Sequence, residues 1–339
     1  MKKRVIFTCV PKEYQLNYHI AEGWSRIDIA VVRVETPFDF TDETYNKHCS
    51  YIPTPIDINY WPKYQEPGID ALAMGWGHLG EFKEDLEENN YNVDTIKYTP
   101  TKILEKDKCL SYFPHNKDMH PIIDTYMICT LEAGNLNDKG QLILRSPAMA
   151  LQGCISKKDQ LKGMIGRTCE GEETEIFESR KELRNDTRKY GDQSKNHTNV
   201  VSNDPLMDNE TLKILAYNDQ KARKAPGICQ NDHGGPLVTW EGRHEILIGV
   251  ATLYKVDDDS NCMGPYLFTS TYCTSAFLQC ILSMENETDS GRRCENSSEQ
   301  TFEMVQRRIS WGDKDDRITE KDVIQERPQL SVSAFYAKL

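Results

Sequence analysis

No stretch of this 339-residue sequence is apolar for long enough to cross a bilayer as a helix. Apolar residues are scarce overall, at 38% with a mean hydropathy of −0.64, so part of the chain is expected to join no core. Basic residues are in deficit as well: 41 Lys and Arg face 53 Asp and Glu, a net charge of −12. Nucleic acid and anionic membrane surfaces need clustered cations to neutralise their phosphates, so neither is expected as a partner. The start of the chain, Met1-Lys2-Lys3-Arg4 and then Val5 to Val10 before Pro11, lacks the apolar length of about 7–15 residues that an export signal requires. Either the natural N-terminus lies further upstream or the protein is not exported by that route. No His/Asp/Glu set has metal-ligand spacing, and no metal or cofactor is implied.

Cysteine, by contrast, is plentiful. Eleven cysteines are dispersed along the chain without a CxxC pair, so disulfides in an oxidising compartment are the natural account. Five Asn-x-Ser/Thr sequons, at Asn185, Asn196, Asn209, Asn286 and Asn296, are glycosylation candidates that point the same way. The length suffices for one large domain or two small ones with a sizeable core.

The most informative run is Gly227-Ile228-Cys229-Gln230-Asn231-Asp232-His233-Gly234-Gly235-Pro236-Leu237-Val238. It resembles the nucleophile loop of the chymotrypsin/trypsin-like serine peptidases, whose pattern is Cys-x-Gly-Asp-Ser-Gly-Gly-Pro-Leu. In those enzymes a serine hydroxyl attacks the scissile carbonyl, a histidine takes its proton, a buried aspartate orients the histidine, and two backbone N–H groups bind the oxyanion. The resemblance puts His233 at the serine position and Asn231 at the glycine whose N–H makes half of the oxyanion hole. An acyl adduct on His233 would be an acyl-imidazole, so the substitution keeps the loop and discards the chemistry. Glycine tolerates backbone angles that asparagine adopts at a cost, which turns the oxyanion donor elsewhere. Gly227 falls where trypsin-like members carry an aspartate for Lys or Arg, so the substrate pocket, with Thr252 and Tyr254 on its wall, holds no charge to recognise a basic side chain. Asp232 matches the residue that receives a new N-terminal ammonium in active members. With no cleavage site in the sequence, it needs another partner or faces water.

Further matches extend the resemblance. Ser25-Arg26-Ile27-Asp28-Ile29-Ala30-Val31-Val32-Arg33-Val34 is similar to the family's Asp-Ile-Ala-Leu-Leu strand, which makes Asp28 the triad aspartate; its β-branched run, closed by Pro37, independently predicts a strand. The family's Ala-Ala-His-Cys histidine lies further upstream than the 27 residues that precede Asp28, and His19 lacks that context. Ala73-Met74-Gly75-Trp76-Gly77 resembles the Gly-Trp-Gly that opens the second barrel, with Trp76 read as a core aromatic. A disulfide common in the family would fall on Ala71 and Thr239, so both partners are absent together. Tyr126-Met127-Ile128-Cys129 is similar to the Met-Ile-Cys before the nucleophile loop and pairs Cys129 with Cys109, while Cys262 pairs with Cys229. Ile246 to Ala251 predicts a core strand, Pro265 to Thr269 resembles the rear strand of the pocket, and Thr271 to Leu282 a C-terminal helix with Phe277, Cys280 and Ile281 on one face. Cys9, Cys49, Cys273, Cys280 and Cys294 receive no partners, and an odd total leaves at least one cysteine free or intermolecular.

A hundred residues separate Cys129 from Cys229, where the family needs few. Either residues 130 to 226 are one insertion into a single domain, or Ser146 to Leu151, Cys154, Gln160 to Gly166 and Cys169 form a worn copy of the ending that recurs as His233 to Val238, Ile246 to Ala251 and Cys262. The spacing favours the second. Ser146 is no nucleophile in it, because Arg145 precedes, Pro147 follows and the flanking glycines are missing. Residues 170 to 224 are rich in Glu, Lys, Arg, Asn and Asp and read as a solvated linker, with Lys221 to Lys224 as an exposed basic patch. The expected units are a truncated trypsin-like domain at 1–172, a polar linker or insertion at 173–226, the nucleophile-loop region and barrel end at 227–283, and an extension of unknown structure at 284–339 with patchy helical periodicity at Phe302, Val305 and Ile309.

The resemblance implies an all-β, trypsin-like double β-barrel, truncated at its N-terminal side, with a long polar insertion, a short C-terminal helix and an irregular tail. The function it implies is a secreted, catalytically inactive serine protease homologue that binds a protease, an inhibitor or another extracellular protein. Invertebrate homologues of this kind serve as cofactors or decoys in immune or reproductive secretions. Two alternatives stand beside it: an active serine endopeptidase, which needs a nucleophile the loop does not show, and a disulfide-stapled structural glycoprotein.

Overall fold

The computed structural model describes residues 3–14, 21–41, 45, 47, 53–82, 91–143, 163–164, 227–283 and 304–311. The expected sequons, Ser146, His19, Cys49, Cys154, Cys169, Cys294 and the Lys221 to Lys224 patch all lie outside them. In chain order the elements are β1 (Val5–Pro11), α1 (Ala21–Ser25), β2 (Val31–Val34), β3 (Asp57–Ile58), β4 (Asp70–Gly75), β5 (Lys97–Ile103), α2 (Lys106–Ser111), α3 (His120–Tyr126), β6 (Met127–Ala133), β7 (Pro236–Glu241), β8 (His244–Val256), β9 (Cys262–Ser270), α4 (Ser275–Leu282) and β10 (Met304–Arg308). No helix among the described residues is long and apolar enough to cross a membrane.

Six of these strands close on themselves. Their order is β8-β7-β4-β5-β6-β9, and β9 returns to pair with β8, every neighbour antiparallel. Closure removes the unpaired edges that an open sheet would expose. The chain is thus mostly β with one six-stranded barrel, and β3 adds a short parallel rung to β8 at Asp57↔Ile246 and Ile58↔Leu247. Strands of the barrel come from both sides of the hundred-residue gap: β4, β5 and β6 from 70–133, β7, β8 and β9 from 236–270. Stretches assigned to separate units, 1–172 and 227–283, thus contribute strands to one barrel, while only Gly163 and Met164 of the Ser146 to Cys169 stretch fall among the described residues. Met164, counted above in the worn copy, instead makes a bridge to Tyr98 and packs with Leu72, Tyr98 and Val238.

The period of two in the strands explains the layering. Ala71 and Ala73 of β4 join the main core with Leu237 of β7, whereas Leu72 and Val238 join the separate cluster around Met164. Small residues on one face of β4 let the barrel wall approach its filling of Ile248, Leu253, Tyr266 and Phe268. The longest strand, β8, slips register between Ala251 and Leu253 and again between Leu253 and Lys255. Such bulges coil a strand and re-aim its side chains, and Ala251, Thr252, Leu253 and Tyr254 are consequently all buried in succession.

A second, smaller layer is a three-stranded antiparallel sheet in the order β10-β1-β2. Its Cys9, with Ile27 and Ile29, packs against Phe277, Leu278 and Ile281 of α4. Three expectations change here. The predicted strand from Ser25 starts only at Val31, because the chain before it forms α1 and then a turn in which Ile27 takes a φ of 56°. The buried face of α4 carries Leu278 rather than Cys280, which is disulfide-bonded. The tail that suggested helical periodicity forms β10, with Val10↔Val305 and Cys9↔Gln306 in register; pairing to an available edge overrides a weak local pattern. Cys9 and Cys273 are free thiols, and burial raises the Cys9 pKa to about 11.

Two disulfides fasten the barrel. Cys109–Cys129 ties α2 to β6 with Cα atoms 6.2 Å apart, and Cys229–Cys262 ties the loop before β7 to the start of β9 at 5.5 Å. The Thr239 hydroxyl donates to the Asp70 carbonyl at 2.8 Å, so a side-chain hydrogen bond also joins β7 to β4. Leu237 is fully buried at the centre of this seam. Leu237→Ala is expected to lower the unfolding free energy by about 3 kcal/mol, measured by urea titration; a loss below about 1 kcal/mol would show that the seam collapses around the deleted atoms.

Candidate functional site

The loop from Gly227 to Gly235 runs along the end of the barrel and is held at three points. Cys229 is bonded to Cys262. Gly234 N–H donates to the Ala251 carbonyl at 2.9 Å, and Ala251 N–H donates back to the Gly235 carbonyl at 2.8 Å. The third point is Asp232, whose carboxylate turns inward. Its Oδ1 accepts from Gly77 N–H at 2.7 Å and its Oδ2 from Cys229 N–H at 3.0 Å. Burial raises the Asp232 pKa, and the two amides and the nearby His78 oppose that rise.

This resolves the question of what Asp232 pairs with: backbone amides, one from its own loop and one from the segment after β4. The Gly-Trp-Gly run acquires its reason at the same point. A Cβ on Gly75 would lie 1.9 Å from Asp232 Oδ1, and one on Gly77 would lie 2.4 Å from the Gln230 carbonyl and 2.6 Å from the carboxylate. The glycines exist to admit the carboxylate, and Trp76 between them is 56% exposed rather than a core aromatic. Sequence reading missed this pairing because an amide donor has no side chain to announce it.

Asn231 adopts a φ of 71°, the left-handed region that asparagine enters more readily than other non-glycine residues. Its exposed side chain donates to Asn92 Oδ1 at 2.9 Å and approaches His78 Nε2 at 3.5 Å. His78 in turn sits at 3.0 Å from the Glu81 carbonyl and edge-on to Tyr91. A polar net therefore crosses the front of the loop, and His78, Tyr91 and Asn92 are members that no motif flagged.

His233 points outward, its ring 5.6 Å from that of Tyr254 and tilted by 42°. Surrounding protein lowers its pKa by desolvation although the residue keeps an exposed face, and the Thr252 backbone partly offsets this. No hydrogen bond or ion pair joins His233 to Asp28. The Asp28 carboxylate has no hydrogen-bond or ionic partner among the described residues, and burial raises its pKa to about 7.

The pocket positions close up. A Cβ on Gly227 would meet the Tyr266 ring at 2.1 Å, so the ring already occupies the space that a side chain at this position would need. Tyr266 is buried, and its pKa is raised by that burial. Thr252 is fully buried and shares a 2.8 Å hydrogen bond with Thr269, and Tyr254 is buried against His233. Beside Gly227 and Asp232 a recess of about 10 Å³ remains, room for roughly one water. No group of three or more His, Cys, Asp or Glu among the described residues could hold a metal ion. No protein-family model matches the chain, and no curated protein matches it either.

Two outcomes test these placements. Gly77→Ala drives a methyl into the Gln230 carbonyl and the Asp232 carboxylate and is expected to destabilise the protein by about 2 kcal/mol, read as a lowered Tm; an unchanged Tm would mean that the loop yields freely. The Asp28 carboxyl holds its proton more tightly folded than unfolded, so its stabilising contribution is complete below about pH 4 and is lost as pH rises through about 7. Asp28→Asn, which cannot ionise, is expected to match the native chain at low pH and to exceed it above pH 7 by at most about 4 kcal/mol. Parallel pH–stability curves for the two would contradict a buried, unpaired Asp28.

Proposed function

We propose that this chain is a secreted, catalytically inactive serine protease homologue with a trypsin-like double-barrel ancestry, and that it acts by binding another extracellular protein, such as a protease or an inhibitor. The observation that carries the reading is His233: an imidazole stands at the nucleophile position of a loop that is otherwise held in order by a disulfide, two backbone hydrogen bonds and an inward carboxylate. A loop kept ordered while its reactive group is replaced is a shape retained without the chemistry it once served. The filling of the Gly227 position by Tyr266 supports the same reading, since a side chain entering there would have to displace a buried ring. The two disulfides favour an oxidising compartment, and with it secretion.

An active endopeptidase would have to generate a nucleophile from a group other than the serine of the motif. A fluorophosphonate probe separates the two readings. No labelling above a heat-denatured control is expected, alongside saturable capture of a protein from extracellular fluid. Stoichiometric labelling would overturn the inactive assignment.

A further inference from the structure

Beside the nucleophile loop runs a strip whose exposed side chains have no role in the loop's own order. Residues 79–82 lie antiparallel to the turn at 257–262: Cys262 N–H donates to the Gly80 carbonyl at 2.6 Å, Phe82 N–H donates to the Ser260 carbonyl at 2.7 Å, and Glu81 pairs with Asn261. Asp257 turns back into this turn and accepts from the Asp259 and Asn261 amides at 3.1 and 2.8 Å. Asp258 and Asp259 are left facing water, as is Glu81. On the other side, Val93 N–H donates to the Trp76 carbonyl at 3.1 Å, which brings exposed Asp94 alongside Trp76.

Two large apolar side chains stand out of this acidic ground: Trp76 is 56% and Leu79 53% exposed. The backbone on either side of Leu79 is tied down, His78 N–H donating to the Gln230 carbonyl at 3.0 Å and the Gly80 carbonyl accepting from Cys262, whose disulfide to Cys229 braces the same loop, so the strip is ordered before any partner arrives. None of the acids Glu81, Asp94, Asp258 and Asp259 has an ion-pair partner among the described residues. Exposed indole and isobutyl groups on a backbone strip that also carries unpaired carboxylates match the anatomy of an interface, an apolar anchor with charged neighbours.

We propose that this strip is a docking surface for a cationic protein segment that presents Lys or Arg around an aliphatic or aromatic residue. The charge of the chain, −12, steers such a partner and repels acidic ones. The Trp76 ring offers a face for a guanidinium, and the carboxylates accept its N–H groups. The proposal rests on the binding function above and names the place and chemistry of that binding.

The test uses the full chain and, as probe, a peptide of alternating D-Leu and D-Lys, which no peptidase activity would consume. An all-D-Lys peptide and an alternating D-Leu/D-Glu peptide serve as controls. Saturable binding of the Leu/Lys probe is expected. Trp76→Ala and Leu79→Ser should each weaken it by roughly ten-fold, and Asp258→Asn with Asp259→Asn should weaken it and flatten its dependence on salt. Leu142→Ala, which alters an even more exposed apolar residue elsewhere, should leave affinity unchanged. All of these side chains are exposed, so folding is not at risk. Equal binding of the all-Lys peptide, an equal loss in the Leu142 variant, or indifference to Trp76→Ala would each overturn the docking surface. Fluorophosphonate labelling of the same samples is read separately: labelling with binding that still depends on Trp76 removes the inactive reading and leaves the strip, whereas its converse removes the strip alone.

Discussion

A carboxylate taken out of water must find hydrogen-bond donors or surrender its charge, and the arrangement around the loop from Gly227 to Gly235 follows from how Asp232 meets that demand. It recruits the amides of Gly77 and Cys229, one on each side of the seam between the loop and the end of β4. Both glycines of the Gly-Trp-Gly run then have to lack side chains, and Trp76 between them has to leave for the surface. With Asp232 drawn inward, the residues on either side turn out: Asn231 enters the left-handed region and His233 faces Tyr254 at the exterior. The order of the loop therefore does not wait on a charged amine, since neutral donors already in the chain supply it.

The barrel that carries this loop is assembled from two stretches far apart in sequence. Closing a long connection costs entropy that grows only with the logarithm of its length, so separating β6 from β7 by many residues is compatible with one closed sheet. What holds the halves together is dense: Leu72↔Val238 and Ala73↔Leu237 between β4 and β7, and four pairs between β6 and β9. The two disulfides act at the same places, one bracing α2 against β6 and the other bracing the loop against β9. The three-stranded sheet sits apart from this closure and is held by apolar contact with α4 and by the tail strand β10.

Much of the local architecture was legible from side chains. Alternation and β-branching marked the core of β8, the family resemblance implied the two disulfides, and Phe277 with Ile281 marked the buried face of α4. Legibility failed where the cause was non-local. The pattern near Val305 looked weakly helical, yet β1 offered an unpaired edge and the segment joined it as a strand. Trp76 looked like a core residue because its glycine neighbours suggested tight packing, when the tightness belongs to the Asp232 carboxylate. That β4 to β6 and β7 to β9 share one sheet was hidden for a related reason: similar apolar runs arise wherever strands alternate, and only pairing shows which sheet each run enters.

The sequence by itself determined that the loop from Gly227 to Val238 carries a histidine at position 233 and that position 227 carries no charge, because residue identity settles which atoms are present. It also marked the strand-forming runs, whose signal is periodicity, while the cysteine pairs followed from the family resemblance of the runs around them. Only the tertiary structure decided that one barrel unites both halves, that Tyr266 fills the space over Gly227, and that Asp232 is satisfied by backbone amides. Those outcomes depend on distances between residues remote in the chain, and on backbone donors that every residue but proline carries and no sequence pattern distinguishes.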